Sequence, residues 1–195
     1  MRAYKGVSQD GTNRLGQGKI KFKVGKTYRE EASKTVAKGF HCCENPMECL
    51  TYYDLGKDRF FMVEAGGSID EDDRERIACT ELKVISEMSL ADFAMESMVY
   101  IIEHPNREKW QQRHNGVRVA EEKAEADLIA IARGKDPAVK GKLGGFIGLI
   151  VENRDGSFRQ AALKKVDGKR FKEDTWYKLV GDGVVLEASA MEVLM

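Results

Sequence analysis

Gly39-Phe40-His41-Cys42-Cys43-Glu44-Asn45-Pro46-Met47-Glu48-Cys49-Leu50-Thr51-Tyr52-Tyr53 is the stretch on which the fold turns. It carries three of the four cysteines, one of the three histidines and two of the six tyrosines. Phe40–Cys43 reads as a short strand. Asn45 then offers a side-chain oxygen to first-turn amides, Pro46 suits the first helical position, and Glu48 can reach back to complete a capping box. A helix is expected from there to about Tyr53, with Cys49, Leu50 and Tyr53 against the core.

Upstream, Arg2–Val7 reads as a strand with Tyr4 as an anchor. Gly11, Gly16 and Gly18 mark a loop whose spacing fits neither a P-loop nor a dinucleotide fingerprint. Lys19-Ile20-Lys21-Phe22-Lys23-Val24 alternates strictly, which predicts a half-exposed strand with Ile20, Phe22 and Val24 inward. Residues 29–38 predict a short helix, with Gly39 as its stop.

Downstream, Arg59–Ala65 predicts a strand closed by Gly66-Gly67, and Ile77–Ile85 another, with an acidic run from Asp70 to Asp73 between them. Leu90, Phe93, Ala94, Met98, Ile101 and Ile102 recur at helical spacing after Ser89. Ala120–Ala126 favours helix by propensity. Leu128–Ala132 leaves helix and strand both open, because short apolar runs are not decided by period. Beyond it, Phe146–Val151, Phe158–Val166, Thr175–Leu179 and Val184–Glu187 read as strands, with Asp155-Gly156 and Asp167-Gly168 as turns and Trp176 as a core anchor. The whole is expected to be α+β, with mixed and antiparallel sheets, short helices and a β-rich C-terminal half. Its expected divisions are 1–88 as an α+β domain, 89–134 as a helical connecting segment, and 135–195 as a β-rich segment packing on the rest.

The 195 residues hold 32 Lys+Arg and 32 Asp+Glu, a net charge of zero. That balance lacks the cationic excess of a general nucleic-acid binder and excludes an acidic nucleic-acid mimic. No apolar run reaches the ~18 residues of a membrane span, and Met1–Gly6 has no signal-peptide core. A cytoplasmic protein with reduced thiols is the expectation. Cys42 and Cys43 are adjacent, with no C-x-x-C knuckle to wrap an ion, so buried thiols rather than a metal site are expected.

Three segments together resemble a family. Met1–Gly6 is the first. Gly39–Tyr53 with Glu64-Ala65-Gly66-Gly67 is the second. Lys140-Gly141-Lys142-Leu143-Gly144 with Val166-Asp167-Gly168 and Asp174-Thr175-Trp176-Tyr177 is the third. The combination resembles an uncharacterised family of small bacteriophage and prophage proteins. Many of these carry short β-solenoid repeats before the Lys-Gly-x-Leu-Gly motif. The resemblance implies remnant solenoid rungs at residues 127–141 and 115–119, and so a strand at Leu128–Ala132.

A second resemblance is to ADP-ribosyltransferase folds. In those, a strand ends in a basic residue and glycine, here Lys5-Gly6. A later strand carries Gly-x-His, here Gly39 and His41, and a helix presents a tyrosine to nicotinamide, here Tyr52. That resemblance implies NAD as cofactor, Lys5, His41 and the late-strand Glu187 as catalytic residues, and Tyr52 and Gly39 as cofactor-binding residues. Lys5 stands where that family has Arg or His.

The leading functional expectation is a phage accessory protein without a cofactor, binding a host or defence protein. An NAD-using transferase and a structural component of a phage particle are the alternatives. The face from Leu90 to Ile102 also offers a surface for a homo-oligomer.

Overall fold

The computed structural model describes residues 1–14, 19–33, 38–71, 76–105, 112–181 and 183–188. Among these the chain is β-rich, with twelve strands, one α-helix and one 3-10 helix. It divides into two compact units, Met1–Ser89 and Leu90–Met195.

The first unit is a small closed barrel. Its strands are β1 (Arg2–Val7), β2 (Thr27–Arg29), β3 (Phe40–Cys43), β4 (Arg59–Glu71) and β5 (Arg76–Glu87). The long β4 and β5 form an antiparallel pair. β1 adds to the free side of β4 and β3 to the free side of β5. β1 and β3 then meet at a single pair, Tyr4 opposite Cys43, which closes the ring. Alternation along the strands sends Ala3, Val7, Phe40, Cys42, Phe61, Val63, Ala65, Ile77 and Cys79 into one core.

Three local readings change here. The alternating run 19–24 forms no strand; Lys21 makes an isolated bridge with Thr12, and Ile20 and Phe22 are held by bonds to Asn13 and Gly11. Phe22 is buried, but Val24 lies in the Gly25 turn at 51% exposure. The helix expected at 29–38 is also not formed where it is described: Thr27–Arg29 is strand β2 on the edge of β5, and residues 34–37 lie outside the described residues. An open edge of β5 supplied ladder bonds that outweighed a weak helical pattern. Gly66-Gly67 does not close β4 either. The strand runs on to Glu71 through a register shift, with Gly67 at φ +70° and the Ser68 amide donating to Thr80 Oγ1 at 2.8 Å. The members 72 and 73 of the acidic run, and the loop glycines 16 and 18, lie outside the described residues.

The second unit opens with α1 (Leu90–Glu103), which buries Phe93, Ala94, Met98 and Ile101. Strands β6 (Gln112–His114), β7 (Val117–Ala126), β8 (Ile129–Gly141), β9 (Phe146–Glu152), β10 (Phe158–Lys165), β11 (Tyr177–Val180) and β12 (Val184–Glu187) follow. They form one sheet in which β7, β8 and β9 run parallel. Each of the long strands β7 and β8 is two arms joined by a corner. Val117–Glu121 pairs with Ile129–Arg133, and after a register shift Lys123–Ala126 pairs with Ala138–Gly141. The corners are Glu122 at φ 61° and Gly134 at φ 134°, and Glu122 Oε1 accepts the Lys135 amide at 3.2 Å. Residues 120–126 are therefore strand, not helix. Helix propensity differences of a few tenths of a kcal/mol per residue lose to a continuous ladder with buried Val119, Ala120 and Ala124.

Candidate functional site

The functional candidates of the first unit converge where the barrel is least closed. β1 and β3 share only the pair Tyr4–Cys43. Beyond it, Lys5-Gly6-Val7 and Phe40-His41 have no ladder between them, and a cavity of about 780 Å³ opens there, lined by Lys5, Gly39, His41 and Tyr52. Phe22, Phe40, Tyr4 and Tyr53 give it aromatic walls. Four of the five residues singled out by the transferase resemblance share this one space.

Lys5 sits on the inward face of β1 with Ala3 and Val7 and is 7% exposed. Its Nζ donates to the His41 carbonyl at 2.7 Å and lies 4.6 Å from the Phe22 ring centroid. The side chain thus bridges the gap that the missing ladder leaves. No carboxylate pairs with it among the described residues. Burial pushes the amine below its ordinary pKa, and the thiols of Cys42 and Cys49 oppose that only in part.

The sign of the linked stability effect follows from that depression. Between the folded pKa and the ordinary lysine value the unfolded chain binds the extra proton, so stability rises with pH across that window. Lys5→Met is expected to raise neutral-pH stability by about 1 kcal/mol, as apolar replacements of buried charges often do. The gain should shrink as the solution is made alkaline. Urea titrations at pH 7 and pH 10 measure it; a gain that grows with pH would contradict the buried-cation account.

Gly39 is required by backbone geometry. Its φ is +88°, and a Cβ there would lie 2.9 Å from the Cys79 carbonyl oxygen. It is a hinge into β3, and its amide donates to Glu30 Oε2 at 3.1 Å. Tyr52 follows the 3-10 helix Pro46–Thr51, which is the capped turn expected from Asn45: the Asn45 side chain accepts from the Met47 amide at 3.0 Å. The turn ends earlier than Tyr53, as a 3-10 rather than an α segment. Tyr52 Oη accepts from Arg76 Nη1 at 3.0 Å, and its carbonyl accepts from Arg14 Nη1 at 3.0 Å. Arg14 in turn forks onto Asp58 at 2.7 and 2.8 Å and donates its amide to Tyr53 Oη at 3.0 Å. The two tyrosines are thereby pinned at the rim.

Gly6 has a packing reason. A Cβ there would fall 2.3 Å from Tyr53 Cδ2 and 2.6 Å from its Cγ. Gly6→Ala is expected to cost about 2 kcal/mol by displacing that ring. A thermal melt that leaves the midpoint unchanged would show the ring free to move away.

Glu187 lies in the second unit. It ends β12, is exposed, and its carboxylate is 3.8 Å from Lys172 Nζ. The residues that sequence reasoning passed over at the cavity are Glu30, Arg76, Phe22 and Tyr53. Arg76 had one readable signal, its place at the start of the strand that must pair with Cys43. Glu30 had none, having been read into a helix.

The four cysteines are all buried and free. They fall into two pairs on opposite faces of β3. Cys42 donates to Cys79, and that bond with burial pushes the Cys42 thiol well up. Cys49 is pushed up in the same way by its bond with Cys43 and by burial. Among the described residues no group of three or more His, Cys, Asp or Glu is placed to hold a metal ion. Nor is any described helix long and apolar enough to cross a membrane.

Residues 1–96 match a domain of unknown function, DUF7666. The matched segment takes in the whole first unit, including every cavity residue named above, and ends within α1. Comparisons with curated proteins and with solved structures found no match.

Proposed function

We propose that this chain works by binding, as a phage or prophage accessory protein in the cytoplasm acting on a host or defence component, and that the barrel cavity of its first unit holds a small ligand in that work. The observation that carries this reading is how the polar groups of the cavity are engaged. Lys5 Nζ is given to the His41 carbonyl, Glu30 to the Gly39 amide, and Tyr52 Oη to Arg76. Groups held in this way shape a pocket and leave little for proton transfer or for stabilising a ribosyl cation. Four buried free thiols support a reducing compartment.

The parallel stack β7–β8–β9 supports the reading of residues 127–141 and 115–119 as remnant solenoid rungs. Its partners are offset by 12 residues at Val117–Ile129 and by 17 at Ile129–Phe146, with corners in β7 and β8.

The second reading is an NAD-using ADP-ribosyl transfer. It is favoured by Lys5, Gly39, His41 and Tyr52 sharing one cavity. Calorimetric titration with NAD, with chromatography for released nicotinamide, separates the two. Binding without nicotinamide release supports the binding protein. Release that Lys5→Met and Tyr52→Ala abolish would replace it with the transferase.

A further inference from the structure

The second unit has a groove of its own, of about 730 Å³, lined by both strands of the β6–β7 hairpin, the second arms of β7 and β8, and Trp176. Arg113 and Arg118 both line it. They are directly opposite one another in the antiparallel ladder of β6 and β7. Like charges at opposed positions repel and destabilise a hairpin. Among the described residues neither guanidinium has an acidic partner. The groove also holds three lysines, Lys123, Lys140 and Lys142, matched in number by Glu125, Asp127 and Asp174; Lys140 is 2.7 Å from Glu125, and Lys142 is 2.8 Å from Asp174. The groove thus has one concentrated cationic point and otherwise balanced walls.

A two-arginine fork without a counter-ion suits a phosphate, whose oxygens accept several N–H donors at once. One such point suits one phosphate group; a long polyanion would need a row of uncommitted cations. Trp176, expected from the sequence to be a core anchor, is instead only half-buried just ahead of β11, with Lys140 Nζ 5.1 Å from its ring centroid. A half-exposed indole in the same groove offers a face to a planar ring.

We propose that this groove binds a mononucleotide, its phosphate between Arg113 and Arg118 and its base against Trp176. The site is built wholly from the second unit and does not depend on the cavity at Lys5.

The test is calorimetry of the full chain with AMP, UMP, ribose 5-phosphate and a ten-nucleotide single strand, at fixed salt. AMP binding should weaken roughly tenfold in Arg113→Gln and again in Arg118→Gln, the loss of one charge-assisted contact. Trp176→Ala should weaken AMP by a similar factor and leave ribose 5-phosphate unchanged. Thermal midpoints of the two arginine variants should be equal to or above that of the parent without ligand, since each relieves the repulsion; this keeps lost binding distinct from lost folding. No AMP binding at millimolar concentration, or binding insensitive to both arginines, would overturn the proposal. So would ribose 5-phosphate binding as well as AMP, or the single strand binding more tightly than AMP.

Discussion

Arg133→Ala should cost about 3–5 kcal/mol of stability, the usual result of stripping one partner from a buried ion pair. Arg133 closes the first arm of β8, immediately before the Gly134 corner. Its side chain is 7% exposed and pairs with Glu152, at 13%, on the end of the neighbouring β9. The same guanidinium nitrogen lies 3.4 Å from the Pro105 carbonyl, just past the end of α1. The pair therefore fastens three parts of the second unit at one point. Removing Arg133 leaves a largely buried carboxylate, 13% exposed, without its cation. Replacing both residues, Arg133→Leu with Glu152→Leu, should recover most of the loss, because the charge left behind is what costs. Urea denaturation of the two variants measures the contrast. A single variant within 1 kcal/mol of the parent would mean that Glu152 reaches solvent in the variant.

Gly145→Ala should cost about 3 kcal/mol, through a collision that the chain cannot relieve cheaply. An added Cβ would lie 2.5 Å from the Asp127 carbonyl oxygen, 3.0 Å from that of Leu128 and 3.1 Å from that of Lys142. All three are backbone atoms, so no side chain can swing aside. The Phe146 amide already donates to the Leu128 carbonyl at 2.8 Å, and Val166 donates to the Gly145 carbonyl at 2.8 Å. Moving the turn would break the joints between successive parallel strands. Overpacking of this kind costs about 1–3 kcal/mol, and backbone obstacles put it at the upper end. Gly156→Ala is the control. Gly156 has φ +80° but nothing within 4 Å of an added Cβ, so about 1 kcal/mol of backbone strain is all that is expected. Equal midpoints for the two variants would remove the steric argument.

Much of this architecture could be read from residues. The strand at Phe40–Cys43 and the capped Asn45-Pro46 turn are local statements that survive, whereas the equally local alternation at 19–24 does not become a strand. The helix at Leu90–Glu103 and the strands at Phe146–Glu152 and Phe158–Lys165 survive as well. Failures came where a distant partner decided. Residues 27–29 became a strand because β5 had an unfilled edge. Residues 120–126 became a strand because Ile129–Arg133 and Ala138–Gly141 lay ready to pair with them. Val24 alternated correctly but sat where the chain had to turn.

The candidate site divides in the same way. Lys5, Gly39, His41 and Tyr52 were implied by the transferase resemblance, and the fold brings them to one cavity. That Lys5 turns inward, with a carbonyl as its partner, follows from a gap between β1 and β3 that no spacing announces. Glu187 was placed by analogy, and its strand belongs to the other unit.

The barrel of the first unit has two unlike sides. Along β4 and β5 it is joined from Phe61–Glu87 through to Glu71–Ile77, while between β1 and β3 it is joined at one pair. One side is a long ladder, and the other a single pair reinforced by the Lys5 Nζ bond to the His41 carbonyl. The thiols of Cys42, Cys43 and Cys49 are all buried beside that single pair, so an opening of the barrel at Tyr4–Cys43 would be the shortest way to bring a reagent to them. The same movement widens the entrance to whatever the cavity holds. Residence time in the pocket and the ageing of its cysteines would then run on one clock.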